Sequence, residues 1–166
     1  MTNEKGFSLI ELLIVVAIIA IIAAIAVPSM LQARMAANES GAIQGCRTVG
    51  SAEVAYAAVN NQTYAALADL KSNNFVDSRF DPTGAGFNGY KYGDGTVVDA
   101  TTDGFGVVAT PITGGSTGRY KYGINGDQVV RYKGKAANVT DEAKCGGDVC
   151  TDGDPIGTQK AAPSGS

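Results

Sequence analysis

The stretch FSLIE at residues 7–11, followed by the apolar run LLIVVAIIAIIAAIAV at residues 12–27, decides the fold of this chain of 166 residues. Eleven of the sixteen residues in the run are Leu, Ile or Val. A helix rises about 1.5 Å per residue, so a helix from Phe7 to Val27 is about 30 Å long and can cross the hydrocarbon core of a bilayer. The run is apolar on every side, which indicates a membrane-spanning helix.

Two other interpretations of the apolar run stay open, a helix buried in a soluble core and a cleavable secretory signal. A secretory signal would use residues 2–6 as its n-region and Ala24-Ile25-Ala26 as its cleavage site. Three features weigh against it, since the run is long, Glu11 stands at its start and Pro28 follows the proposed cut. The membrane-spanning helix is therefore our prediction.

Glu11 is an ionisable residue at the edge of the apolar run, where a charge is expensive and a function is expected. No basic residue occurs from Phe7 to Met30 that could neutralise it. Helix geometry brings residues three and four positions away within reach, and here these are Ile14 and Val15 downstream and Ser8 and Phe7 upstream. The partner of Glu11 must therefore come from another chain or from a newly formed amino terminus.

The string KGFSLIE at residues 5–11, with the apolar run up to Pro28, resembles the start of a type IV pilin or a closely related pseudopilin. This resemblance implies that a prepilin peptidase cuts between Gly6 and Phe7 on the cytoplasmic side and methylates the new amino terminus of Phe7. It also implies that Glu11 pairs with the free amine of Phe7 in a neighbouring subunit. Both residues would then set the register of a polymer.

The resemblance also implies where the chain acts and with what. The precursor would span the inner membrane once, with residues 1–6 in the cytoplasm, and would enter an extracellular pilus after assembly. Its partners would be further copies of the chain, the prepilin peptidase, an inner-membrane assembly platform and, before assembly, membrane lipid. A structural subunit of a type IV pilus is the first expectation, and a pseudopilin of a type II secretion system is the alternative within the family.

The chain divides into four predicted segments: a cleaved leader at 1–6, a transmembrane and assembly helix at 7–28, a globular head at 29–150 and a flexible tail at 151–166. Pro28 is expected to kink or locally melt the helix. Beyond it, an amphipathic pattern extends the helix to about Val59. The apolar positions of that pattern are Met30, Ala33, Ala37, Ile43, Cys46, Val49, Ala52, Tyr56 and Val59.

Three glycines, Gly41, Gly45 and Gly50, lie within this helical pattern. Each weakens a helix by about 1 kcal/mol relative to Ala, and the alternatives are that they permit close approach of a helix or local unwinding.

The rest of the chain changes to a period of two, which predicts strands. A short helix over Tyr64–Phe75 precedes them. The strand candidates, separated by Gly- and Asn-containing turns, are Gly89–Tyr92, Phe105–Thr110, Arg119–Ile124 and Gln128–Lys133. The predicted fold is α+β, with the long N-terminal helix packed against a small antiparallel sheet, as in pilins.

The turn of the last hairpin can be placed in two registers. A two-residue Asn125-Gly126 turn would mix apolar and basic side chains on each face, whereas a three-residue loop over 125–127 separates them. The three-residue loop aligns Tyr120, Tyr122 and Ile124 with Tyr132, Val130 and Gln128, and it is the register we predict. A basic stripe would then lie on the outer face, formed by Arg119, Lys121, Arg131 and Lys133.

Cys46, Cys145 and Cys150 make an odd number of cysteines, so at most one bridge can form within the chain. Outside the cytoplasm, Cys145 and Cys150 are the expected pair, in a short loop that resembles the C-terminal disulfide loop of many pilins. Cys46, on the helix, would then be a buried thiol.

Composition weighs against several other functions. The chain contains no His and has a net charge of −3, so the usual general base, the commonest metal ligand and the basic field of a nucleic-acid-binding protein are missing. Asp148, Asp152 and Asp154 do not form a twelve-residue EF-hand. We therefore expect no catalytic residue, cofactor, metal or nucleic-acid partner, and a membrane-anchored or secreted enzyme is the alternative from another class.

Overall fold

The structure, a computed structural model, describes residues 6–95, 104–135 and 154–156. Helix α1 comprises Leu9–Val59, helix α2 comprises Leu67–Ser72, and a short 3-10 helix follows at Ser78–Phe80. The strands are β1 Tyr90–Asp94, β2 Gly106–Pro111, β3 Tyr120–Asn125, β4 Arg131–Lys135 and β5 Asp154–Pro155. The predicted α+β class, with a long N-terminal helix and a small antiparallel sheet, is confirmed.

The described strands form one sheet in the order β1-β2-β3-β4-β5, and each pair of neighbours is antiparallel. Each of the four predicted strands overlaps an observed one. The two residues of β5 were not predicted as a strand, because they fall in segment 151–166, which we expected to be a flexible tail. Their pairing with β4 differs from that expectation, and most of the segment lies outside the described residues.

The register of the β3–β4 hairpin differs from the predicted one by two residues, since Tyr122 lies opposite Tyr132 and not opposite Val130. A shift of two residues preserves the alternation of faces, so Tyr122 and Tyr132 still lie on one face, as predicted, and an irregularity in the pairing lies between Tyr120 and Lys121.

The connection between β3 and β4 is longer than the predicted three-residue loop because Gln128 contacts the helix. Gln128 has a positive φ of 60°, and its side-chain amide donates to the carbonyl oxygen of Gly50 in α1 at 3.3 Å. Gln128 therefore leaves the sheet to bind the helix.

The chain separates into two compact units, Met1–Arg34 and Met35–Ser166. The second unit, called the head below, begins later than the predicted start at residue 29, because the side chains from 29 to 34 are exposed. Helix α1 is continuous through Pro28, so it does not melt there, and a kink at Pro28 stays a prediction.

The core of the head lies between the C-terminal half of α1 and the sheet. Strand β2 is buried along its whole length, as expected of a strand with a neighbour on each side. Among the predicted apolar helix positions, Met30, Ala33, Ala37 and Val59 are exposed. The remaining predicted head positions do contribute to the core or pack against it, namely Ile43, Cys46, Val49, Ala52 and Tyr56.

Gly45 lies where the side chain of Tyr92, from β1, meets the helix. A Cβ atom at Gly45 would lie 2.1 Å from the hydroxyl oxygen of Tyr92, which is far inside van der Waals contact. A Cβ at Gly50 would similarly lie 2.8 Å from Ile124 Cδ1 of β3. These two glycines therefore let the sheet approach the helix closely.

Candidate functional site: the N-terminal segment and the polar contacts of helix α1

The residues at the predicted cleavage site lie just before α1, which begins at Leu9. Gly6 and Phe7 are both exposed, and Phe7 keeps 76% of its surface accessible. Around Gly6, no described atom lies within 4 Å of the position that a Cβ would take. Among the described residues, nothing therefore blocks the access of an enzyme to the bond between Gly6 and Phe7.

Glu11 has a local partner that sequence reasoning missed. The backbone N–H of Ser8 donates to Glu11 Oε2 at 3.3 Å, and the N–H of Leu12 donates to the carbonyl of Ser8 at 3.3 Å. A hydroxyl residue followed three positions later by Glu is the sequence pattern of a capping box, so the signal was present. Glu11 thus satisfies one of the free amides at the start of α1 within its own chain.

The apolar run has no protein cover in the part of the chain that the structure describes. Every side chain from Leu9 to Val27 is exposed, and none of the most apolar part of the helix is buried. By length and composition the helix can cross a membrane, although a signal sequence meets the same test. The soluble-core interpretation would need a cover that the described residues do not supply.

The segment just before β3 is fixed to α1 by Glu39 and Asn38. The guanidinium of Arg119 donates from Nε to Glu39 Oε1 and from Nη2 to Glu39 Oε2, both at 3.0 Å, and its backbone N–H donates to Oε1 at 2.8 Å. Asn38 Nδ2 donates to the carbonyl of Thr117 at 2.8 Å. Arg119 therefore binds the helix, and our prediction that it belongs to a basic outer stripe is wrong.

A second carboxylate of α1, Glu53, fixes the segment that follows the helix. Glu53 is 1% exposed, and its Oε2 accepts from the backbone N–H of Ala65 at 3.1 Å. Burial, together with the negative charge of Asp94, raises the pKa of the Glu53 carboxyl from 4.5 to about 7. Sequence reasoning did not single out Glu39 or Glu53.

Cys46 is fully buried and free, as predicted, and its burial raises the pKa of the thiol to about 12. A thiol of this kind is unreactive near neutral pH. Cys145, Cys150 and the predicted disulfide loop lie outside the described residues. Within the described ranges, no group of three or more His, Cys, Asp or Glu side chains is placed to hold a metal ion.

Comparisons with known proteins identify the N-terminal segment. Residues 1–27 match the family described as the prokaryotic N-terminal methylation motif, and the match includes Gly6, Phe7 and Glu11. No curated protein and no solved structure shows significant similarity to the chain. The chain therefore carries the prokaryotic N-terminal methylation motif, which is the hallmark of type IV pilins and pseudopilins.

Proposed function

We propose that this chain is the structural subunit of a type IV pilus, made as a precursor in the inner membrane and polymerised after removal of residues 1–6. The observation that carries the proposal is the methylation motif over residues 1–27, continued by a helix whose apolar side chains are exposed. Exposed apolar surface of this kind needs lipid before assembly and other helices after it. One segment therefore serves both as anchor and as assembly surface.

In the proposed mechanism, cleavage after Gly6 creates a free amino group at Phe7. In the polymer this cation would lie among apolar helices, where an unpaired charge is strongly disfavoured. Glu11 of a neighbouring subunit supplies the opposite charge, so that only one stagger between neighbours satisfies both groups. The pair sets the register, and the packing of the apolar side chains supplies the contact area.

The head supports a structural role. Its sheet and loops are attached to the part of α1 within the head by packing and by hydrogen bonds. Gln128 and Arg119 donate to Gly50 and Glu39, and Thr117 accepts from Asn38, with about 80 positions of chain between the partners. Such attachments hold the head as one body on its helix. We propose that the chain is not an enzyme and that its surface, not a pocket, carries its function.

A pseudopilin of a type II secretion system is the second candidate, because the methylation motif supports it equally. A pseudopilin would form a short periplasmic rod and leave no filament on the cell surface. The two candidates differ in where the polymer is found, and electron microscopy of surface filaments labelled with an antibody against the head distinguishes them.

The experiment that tests processing is mass spectrometry of the N-terminal peptide of protein extracted from membranes. We expect a chain that begins with N-methylated Phe7. A chain that begins at Val27 would instead support a secreted soluble domain, and one that begins at Met1 or Thr2 would support an unprocessed anchor.

A further inference from the structure

The segment 60–66, which connects α1 to α2, is held from two sides by carboxylates. Glu53 of α1 accepts from the N–H of Ala65 at 3.1 Å, and Asp94, at the end of β1, accepts from the N–H of Leu67 at 2.6 Å. Residue Ala66 is the N-cap of α2 and makes no side-chain cap bond, so Asp94 acts as the cap from another element. The two acceptors lie at the ends of different elements and meet at one short stretch of backbone.

The same segment contains a turn that is costly to hold. Asn61 and Gln62 are consecutive residues with positive φ values of 52° and 62°. Side-chain-bearing residues rarely adopt this conformation, and it persists only where surrounding contacts impose it. The hydrogen bonds to Glu53 and Asp94 are contacts of that kind, just beyond the turn.

The charges around Glu53 are unbalanced. Asp94 faces it from β1 and carries the same sign, and its field adds to the burial that disfavours the charged form of Glu53. On α2, Asp69 is exposed and Lys71 is bound to Asp81, while strand β2 has no ionisable side chain. In the described surroundings, ionised Glu53 therefore has a like charge nearby and backbone dipoles as its compensation.

Water can reach this place if the segment loosens. A cavity of about 160 Å³ lies beside it, lined by Tyr64, Ala65, Asp94, Phe105 and neighbouring small residues. Its volume is sufficient for several water molecules. Opening of the segment would hydrate the Glu53 carboxylate and remove the cost of its burial.

We propose that Glu53 and Asp94 form a proton-operated latch that holds the connecting segment 60–66 closed when Glu53 is protonated and releases it when both carboxylates are charged. Protonated Glu53 can still accept from the N–H of Ala65 through its carbonyl oxygen, and it no longer repels Asp94. Ionised Glu53 gains free energy whenever the segment opens to water. The proposal concerns the single chain and does not depend on polymerisation.

The test is hydrogen–deuterium exchange, read by mass spectrometry, on the full-length chain in detergent micelles from pH 5.5 to 8.5. Exchange rates are divided by the intrinsic rate at each pH, so that only opening is measured. We expect protection of the peptide that covers residues 60–67 to fall by tenfold or more as the pH rises to about 7 and then to level off, so that opening reaches half of its maximum, the midpoint, near pH 7. Constant protection in the parent chain would overturn the proposal.

Three variants make the test specific. Glu53→Gln, which mimics the protonated side chain, should keep high protection at every pH, and an unchanged pH dependence in this variant would contradict the latch.

Asp94→Asn keeps an acceptor for the N–H of Leu67 but removes the like charge, so the midpoint should move to lower pH. An unmoved midpoint would also contradict the latch. Asp94→Asn retains Glu53, and so it remains a test even if Glu53→Gln does not fold. The matched control is Asp69→Asn, an exposed acid on α2, which should leave the midpoint in place.

Discussion

Arg119 and Glu39 are separated by 80 positions in the chain and are joined by three hydrogen bonds, two from the guanidinium and one from the backbone N–H of Arg119. Glu39 is nearly buried on α1, whereas about half of the Arg119 side chain remains exposed just before β3. The carboxylate therefore depends on Arg119 for compensation, while Arg119 retains contact with water. The pair fixes one end of the sheet to the helix.

Truncation of this pair should destabilise the head. Arg119→Ala leaves a nearly buried carboxylate with one backbone donor, and the loss of charge-assisted hydrogen bonds should lower the free energy of unfolding by about 2 kcal/mol. Urea denaturation at neutral pH measures this change in the free energy of unfolding. The matched control is Arg79→Ala, which removes an exposed ion pair with Asp77 and should cost less than about 1 kcal/mol. Equal effects of the two variants would show that the Glu39 contact adds nothing.

The close approach of Tyr92 to α1 gives a second prediction. Gly45→Ala would gain about 1 kcal/mol of helix propensity but would force a Cβ against the Tyr92 hydroxyl, and overpacking of this kind costs about 1–3 kcal/mol. Tyr92 packs against the rings of Phe80 and Phe87 and has little room to move. We expect a net loss in thermal stability.

Gly41→Ala is the control for this substitution on the same helix. Its Cβ would meet the side-chain amide of Asn88 at 2.9 Å, and Asn88 is exposed and can turn away. This variant should be neutral or more stable than the parent. A Gly45→Ala protein that melts at or above the temperature of Gly41→Ala would contradict the steric argument.

Periodicity predicted the helix, the four main strands and the buried face of Tyr122 and Ile124, because these depend on local pattern. It did not predict which distant groups meet, and so Arg119 was placed on the wrong surface and the β3–β4 register was shifted. One signal was available: Glu39 and Glu53 lie seven positions on either side of Cys46, on the face that we expected to be apolar. Acids at such positions indicate buried partners. The capping box of Ser8 and Glu11 was likewise readable but was not recognised.

The raised pKa of Glu53 predicts how stability depends on pH. A carboxyl with a pKa of 4.5 in the unfolded chain and about 7 in the folded chain binds more protons when folded between these values. The free energy of unfolding should therefore fall as pH rises from about 4.5 to about 7 and then level off, by at most about 3 kcal/mol from this group.

Thermal or urea denaturation of Glu53→Gln checks this dependence, since the variant should lose it. Asp81 affects stability in a separate, more acidic pH range, because hydrogen bonds from Lys71 and Thr83 lower its pKa from 3.8 to about 2. Its contribution is present above pH 3.8 and is lost as pH falls towards 2. A parent and a Glu53→Gln chain with the same slope between pH 4.5 and 7 would show that Glu53 does not carry the effect.

Gly6 gives a prediction about processing. If the peptidase binds the chain at this residue because it has no side chain, Gly6→Val should accumulate as uncut precursor in the membrane fraction. Immunoblotting and N-terminal mass spectrometry detect the precursor. The control is Gly93→Val, far from the cleavage site, where no described atom lies within 4 Å of a Cβ position, and it should be cut normally. Normal cutting of Gly6→Val would direct attention to a cut elsewhere, first after Ala26.

Glu11 has a local role at the start of α1 and a proposed role between subunits, and a suitable choice of substitutions separates the two. Gln at the third position of a helix serves a capping box as Glu does, so Glu11→Gln should preserve the bond from the Ser8 amide and the start of α1. It removes the charge that would neutralise the amine of a neighbouring Phe7, and a buried pair that loses one partner costs about 3–5 kcal/mol.

We therefore expect Glu11→Gln to insert and to be cut like the parent but to yield few or no filaments in a shearing assay. Glu11→Asp should be intermediate, because it keeps the charge and shortens the reach, and Glu11→Ala should lose both the cap and the polymer. Ser8→Ala retains the carboxylate and the backbone N–H and should assemble. If Glu11→Gln gives filaments in parental amount, the carboxylate serves the helix start alone, and the register between subunits must be set by packing of the apolar side chains.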